Sequence, residues 1–256
     1  REIHKLEGTD ESYVLNYLII ALNNLKLYNK ALEYNNLLYE RFKEQENYTA
    51  MSALKNNIAY NLTLLGQYND AINAYDQAIE FCKTAGIKEE NLALLMTNAG
   101  ICYQNMRRPV EARNYFMMAL SVLKSPGNMA ERSRIENIVA LIYFNQGDLY
   151  NAGVWSSKSI ESAHLAMDPW KLSESYLTYS RILRAGNDPT GALENYEKYL
   201  SIRDSLQLEN KLKEQELAKR QYDLEKSEKD LRIELKEARV KELAIQQLTL
   251  QLQKEE

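Results

Sequence analysis

Proline and glycine are scarce in this chain of 256 residues, at four and nine respectively. So few chain breakers argue against a β-sandwich, which needs a turn signal every 8–12 residues or so. There are two histidines, His4 and His164, and two cysteines, Cys82 and Cys102. Neither histidine has a Cys, His, Asp or Glu partner at metal-ligand spacing. No glycine-rich phosphate loop and no nucleophile elbow occurs. Catalysis needs convergent groups, and these are missing, so the chain reads as a non-enzyme without metal or cofactor. Both cysteines fall on helical apolar stripes, where buried free thiols are the plain reading. A disulfide between them stays open but has no supporting spacing. No basic face stands out and the net charge is −4, which disfavours nucleic acid as a partner of this chain. Uninterrupted apolar runs are absent as well. The best, residues 13–22, contains Asn16 and is too short to span a bilayer. No secretory signal is present, and the sequence opens on Arg1, as an excised fragment would.

What is present is helical and repeated. Between Asn57 and Cys82, Ile58, Leu62 and Leu65 lie at i, i+4 and i+7 and mark one helix face. Gly66 breaks the pattern, and Ala71, Tyr75 and Ala78 form a second stripe with small residues at both ends. Such a hairpin cannot bury its apolar face alone and predicts copies of itself. The copies recur: Ala31, Ala71, Ala112, Ala152 and Ala192 are separated by 40, 41, 40 and 40 residues. Four residues on stand Asn35, Tyr75, Phe116, Ser156 and Tyr196, and seven on stand Leu38, Ala78, Ala119, Ser159 and Tyr199. Twelve before the alanines are Ile19, Ala59, Gly100, Ala140 and Ser180, followed three later by Leu22, Leu62, Tyr103, Tyr143 and Leu183.

This register resembles the tetratricopeptide repeat family over most of residues 12–202. Gly100, Tyr103, Ala112, Phe116 and Ala119 match best. The first and fifth copies depart from the pattern, with Lys26 and Asn187 where the family prefers glycine. The resemblance implies an all-α, right-handed helical-hairpin solenoid of five repeats over residues 11–202. Helix pairs are expected at roughly 11–26 and 29–45, 51–65 and 69–85, 90–106 and 109–124, 130–146 and 149–166, and 171–185 and 189–206. Against the usual 34-residue repeat, the longer period is expected to lengthen the second helices and the connections near 83–91 and 124–130. Residues 1–10 are expected to be the end of an earlier second helix.

The resemblance also implies a concave groove lined by the first helices. Its inward register gives Asn16, Asn56, Thr97 and Asn137, with Asn105 and Asn145 eight residues further along the third and fourth first helices and Tyr60, Gln104, Arg181 and Arg184 between. An amide carries both a donor and an acceptor, so a ladder of asparagines can pair with an extended peptide backbone. The same amides would equally well join neighbouring helices or face water. The lysine-rich carboxylate clamp of chaperone-binding relatives is absent, while Arg134, Arg181 and Arg184 could form a local anion site.

Beyond Arg203 the composition shifts: 25 of the last 54 residues are charged and none is Gly or Pro. Pairs such as Glu209–Lys213 and Glu216–Arg220 at i, i+4 favour one long exposed helix over residues 203–256. A seven-residue series, Leu217, Leu224, Leu231, Ala238, Ile245 and Leu252, with Leu235 and Leu248 assisting, forms a thin seam for a parallel homodimer. A lone charged helix is the bland alternative. The stretch Tyr196–Leu206 and the charged helix after it resemble the junction of bacterial membrane-bound regulators whose tetratricopeptide repeats lie outside the membrane. That resemblance implies a peptide- or protein-sensing, periplasmic part of a transmembrane signalling or transcription-regulatory protein, with a membrane beyond the C-terminus. The rival reading is a soluble, cytoplasmic scaffold or adaptor for protein assembly.

Overall fold

The computed structural model describes residues 9–255, with the side chains of residues 12–229, Lys236 and Arg239. Ten α-helices and no strand occur among the described residues. They are α1 (Thr9–Asn24), α2 (Tyr28–Glu44), α3 (Tyr48–Leu64), α4 (Tyr68–Thr84), α5 (Glu89–Asn105), α6 (Pro109–Val122), α7 (Met129–Asn145), α8 (Leu149–Leu165), α9 (Pro169–Ala185) and α10 (Pro189–Glu255). Consecutive pairs form five hairpins. In the first four, the second helix packs on the first helix of the next hairpin, while α3 also meets α5 and α7 meets α9. The expected all-α hairpin solenoid is therefore present. The helix bounds fall within a few residues of those read from the sequence, except at the end of α10. The extra length over a 34-residue repeat is distributed differently from the expectation. First and second helices alike reach 17 residues, as in α3 and α4, and only the connection after α6, with a 3-10 turn at Pro126–Asn128, is long.

Local chemistry sets the helix ends. Asn47, Asp148 and Asp168 accept from backbone N–H groups three residues on, each at 3.0 Å, and thereby satisfy first-turn donors. Pro109, Pro169 and Pro189 stand where the missing amide costs nothing. The hairpin turns close alike. Gln67 N donates to Leu62 O at 2.9 Å and Arg108 N to Tyr103 O at 3.0 Å, the six-residue closure that needs a left-handed residue before it. Gly66 and Gly147 supply it at φ 76° and 80°, but Lys26, Arg107 and Asn187 adopt φ 59°, 58° and 62° at the same register.

The five register alanines are all buried, as are Tyr75, Phe116, Ala78 and Ala119. Small residues there let helix axes approach; a Cβ on Gly100 would meet Phe116 Cε1 at 2.8 Å. Cys82 and Cys102 are free and buried. The core changes character along the stack. Hairpins two to four share an apolar cluster of Ile79, Leu95, Met96, Phe116, Ile135 and Val139. Around α7, α8 and α9 serines replace it. Ser133 and Ser159 donate to each other's backbone carbonyls at 2.9 and 2.8 Å, and Ser159 Oγ lies 2.6 Å from Ser175 Oγ.

Contacts divide the chain into Arg1–Leu200 and Ser201–Glu256. In the second unit the side chains of residues 207–229 are all exposed. Lys213–Glu209 and Arg220–Glu216 pair at 2.6 Å, and exposed pairs of this kind contribute little. Of the seam, Leu217 and Leu224 are exposed; Leu231, Leu235, Ala238, Ile245, Leu248 and Leu252 lie outside the described side chains. Residues 1–8 likewise lie outside the described residues, and α1 already begins at Thr9. No helix among the described residues is long and apolar enough to cross a membrane.

Candidate functional site

The first helices α1, α3, α5, α7 and α9 share one side of the stack, and the amide register runs along it. Asn16 on α1 is exposed. Asn56 on α3 is half-buried, and its Oδ1 accepts from Nδ2 of Asn98 on α5 at 3.0 Å. That amide joins neighbouring first helices. Thr97 departs from the expectation altogether. It is wholly buried, and its hydroxyl donates to Ala93 O at 2.8 Å, so it offers nothing to a ligand. The sequence reading missed its neighbour Asn98, which carries the polar contact instead. Tyr60 is half-exposed, Gln104 half-buried, and Asn105 and Asn145 are the exposed last residues of α5 and α7.

Asn137 differs from the other amides. It is half-buried on α7, and its Oδ1 is sealed from solvent without a hydrogen-bond partner. It lines a cavity of about 310 Å³ between α7 and α9, together with Arg134, Lys171, Glu174 and Arg181. Register explains why these residues meet. Arg134 and Asn137 are one turn apart on α7, and Lys171, Glu174 and Arg181 share a face of α9. The structure thus brings together three of the residues singled out in the sequence and adds Lys171. The first-turn position of the other first helices carries no cation, which was the available signal. Arg134 is held by Glu131 through its Nε at 2.9 Å and its second guanidinium nitrogen. No ion pair or hydrogen bond holds the Lys171 or Arg181 side chain among the described residues. The cavity is therefore cationic on balance, and Ser133 and Ser175 in its wall continue into the buried hydroxyl ladder.

Arg184 lies elsewhere. It borders a second cavity, of about 570 Å³, against Pro189, Leu193 and Tyr196, and Arg181 stands between the two. A third cavity, of about 660 Å³, opens between α6 and α8 on the opposite side, with Met117, Trp155 and Lys158 in its walls and Glu136 at its base. Glu136 is buried; Ser162 Oγ donates to it at 2.6 Å and Arg132 at 3.1 Å. Burial holds its carboxyl above the usual carboxylate range despite both donors. Arg132 also donates to Leu120 O at 3.2 Å and Leu123 O at 3.0 Å. It thus caps the end of α6, and this cluster joins the third hairpin to the fourth. Among the described residues no group of His, Cys, Asp and Glu could hold a metal ion.

Comparison with known proteins bears on the repeats. The tetratricopeptide repeat family model matches residues 48–125, which span α3 to α6. A search of the curated proteins finds no match. Among solved structures, BtubC (BKLC) from P. vanneervenii aligns at TM-score 0.67 and 18% identity, over 77% of this chain and 82% of that one. A putative kinesin light chain from Podosopora anserina aligns at TM-score 0.64 and 13% identity, over 79% and 99%. Aspartyl phosphate phosphatase F from Bacillus subtilis aligns at TM-score 0.60 and 16% identity, over 76% and 60%. At these identities the likenesses show the fold alone. Family model and neighbours together support tetratricopeptide repeats, a fold used for protein–protein interaction.

Proposed function

We propose that the side formed by the first helices binds an extended segment of a peptide or protein, and that the cavity between α7 and α9 is its principal reading point. The observation that carries this is Asn137, a half-buried amide whose acceptor has no partner, set beside Arg134, Lys171 and Arg181. A turn of the Asn137 amide on binding would bring that sealed acceptor to a ligand backbone N–H, and a buried acceptor left unmade costs about 1–3 kcal/mol. The three cations favour a ligand acidic near the same point. Nothing in the cavity resembles a nucleophile with its base, so the reading is binding without chemistry.

The test is a peptide selected by display on the full chain. Asn137→Ala with Arg181→Ala should weaken it by about 1–3 kcal/mol, roughly ten- to a hundredfold, with an unchanged circular dichroism spectrum. A double variant that binds as tightly as its parent would sink the reading. We extend the proposal to the periplasmic sensor part of a bacterial transmembrane signalling protein, with the C-terminal helix pairing in parallel with its copy. The support is the charged helix after Ser205 and the exposure of Leu217 and Leu224 on the seam. Single cysteines at Leu231 and Ile245, in a background lacking Cys82 and Cys102, should crosslink chain to chain in the membrane-anchored protein, and cysteines at Lys229 and Lys241 should crosslink less. Equal crosslinking at all four positions would leave this helix a spacer.

A further inference from the structure

The cavity bordered by Arg184 occupies a definite place in the repeat. In each of the first four hairpins the second helix receives the first helix of the next hairpin. The residues that form that seat are covered there: Asn35, Tyr75, Phe116 and Ser156 are buried at one register position, and at another Ile79 and Leu120 are buried while Tyr39 and Ile160 are half-buried. At the fifth hairpin the same positions are Tyr196 and Leu200, and they are 42% and 41% exposed, with Leu193 at 59%. The cavity of about 570 Å³ lined by Leu177, Ala192, Leu193 and Tyr196 is thus a seat of the kind filled four times earlier in the chain.

Two side chains set this seat apart. The register positions of Arg181 and Arg184 are occupied in the earlier first helices by Ile20, Tyr60, Ile101 and Leu141, and by Asn23, Thr63, Gln104 and Phe144. None of those is charged. The second of these positions faces the incoming helix, since Thr63 Oγ1 approaches Cys102 Sγ of α5 at 3.8 Å. Only at the unfilled seat does it carry a guanidinium, and no ion pair or hydrogen bond holds Arg181 or Arg184 among the described residues. Terminal repeats ordinarily present a polar outer face, and this one presents an apolar seat with a cationic rim.

We infer that the seat on α9 and α10 docks an amphipathic, acidic helix of a partner protein, at a site that adjoins the cavity of Asn137 through Arg181 but does not include Asn137. The partner helix presents aliphatic or small residues at i, i+4 and i+7, as α7 does with Ile135, Val139 and Ile142 where it meets the third hairpin. It carries carboxylates toward its C-terminal end, opposite Arg184 and Arg181. Charge speaks against a second copy of this chain: residues 20–24 of α1, which would face the arginines, contain no acid.

The probe is a stapled, fluorescein-labelled peptide with the sequence of residues 129–145, carrying Leu141→Glu and Asn145→Glu, beside a control without those two changes. The full chain should bind the acidic peptide about tenfold more tightly than the control. Arg181→Ala with Arg184→Ala should erase that difference. Ala192→Leu, which fills the seat, should abolish binding of both, and Tyr196→Glu, on the exposed rim, should do so without burdening the core. Asn137→Ala should leave the affinity unchanged, which separates this site from the groove. Equal binding of the two peptides, or binding that survives both Ala192→Leu and Tyr196→Glu, would overturn the inference. So would sedimentation showing head-to-tail assembly of the chain that Ala192→Leu dissolves.

Discussion

Asn61 stands at a register position that holds Cys102, Ile142 and Ile182 in the later repeats. It is fully buried, and neither its Nδ2 nor its Oδ1 has a hydrogen-bond partner. Two desolvated, unpaired amide atoms oppose folding, so Asn61→Leu, close to isosteric, should stabilise the chain by about 1–3 kcal/mol. A lower melting temperature for this variant would show that the amide is satisfied in solution. The opposite sign is expected at Ala112. It has no exposed surface, and Ala112→Leu should cost about 1–3 kcal/mol through overpacking. Exposed Gln77 on the neighbouring hairpin serves as the control, since Gln77→Ala should change little. Asp76 would be a poor control, because it accepts from Tyr115 OH across the hairpins at 2.6 Å. The phenols give a pH dependence. Burial pushes Tyr75 up to about 12, and Tyr115 is raised by burial and by Asp76. Groups with raised folded values contribute stability that is complete below their unfolded value, about 10, and is lost as pH climbs toward the folded one. Stability should therefore fall above about pH 10, and Tyr75→Phe should flatten that fall; identical alkaline profiles would contradict it.

Among the elements, the turns hold the least expected feature. Lys26, Glu46, Arg107 and Met167 take left-handed backbone angles where glycine would be unstrained. Each costs roughly 1–2 kcal/mol, partly offset because glycine loses more entropy on folding, about 0.4–1 kcal/mol. Arg107→Gly should therefore gain about 0.5–1 kcal/mol, and Gly147→Ala should lose a comparable amount. Denaturant midpoints for the two variants that move in the same direction would refute the assignment. These turns also mark what the sequence made legible. The helices and their partners could be read because small residues recur at Ala31, Ala71, Ala112, Ala152 and Ala192, and such spacing has few other physical causes. The left-handed turns could not be read from residue type, since the flanking helices impose the angle on lysine, arginine or methionine. Side-chain direction was legible only in part. Spacing put Thr97 beside Asn56 and Asn137, but whether a position on a first helix faces solvent depends on the helix seated next to it, which spacing does not carry. Spacing put Ser156 and Ser159 on the packing register, but partners such as the Ser133 carbonyl that accepts from Ser159 are invisible along one chain.

For the whole molecule, stability should follow the sum of hairpins and the seats between them. Amide exchange should be fastest in α1 and α2, at one end of the stack, and slowest in α4 to α7, where the apolar cluster around Phe116 is continuous. Uniform protection across all five hairpins would mean that the stack opens only as one unit. The serine ladder has a mechanical consequence. Apolar side chains slide past one another with little change in energy, so a seat lined by Leu95, Met96 and Ile135 can shear by a fraction of an ångström. The reciprocal bonds of Ser133 and Ser159 and the short Ser159–Ser175 contact have no such latitude, because a small slip stretches several at once. Hairpins four and five should therefore move as a stiffer block, with more of the compliance of the stack in the first three. A ligand gripped beside Asn137 would hold the rigid end and feel the remainder as a lever, so any bending it induces should appear at α3 to α6, remote from the residues that touch it.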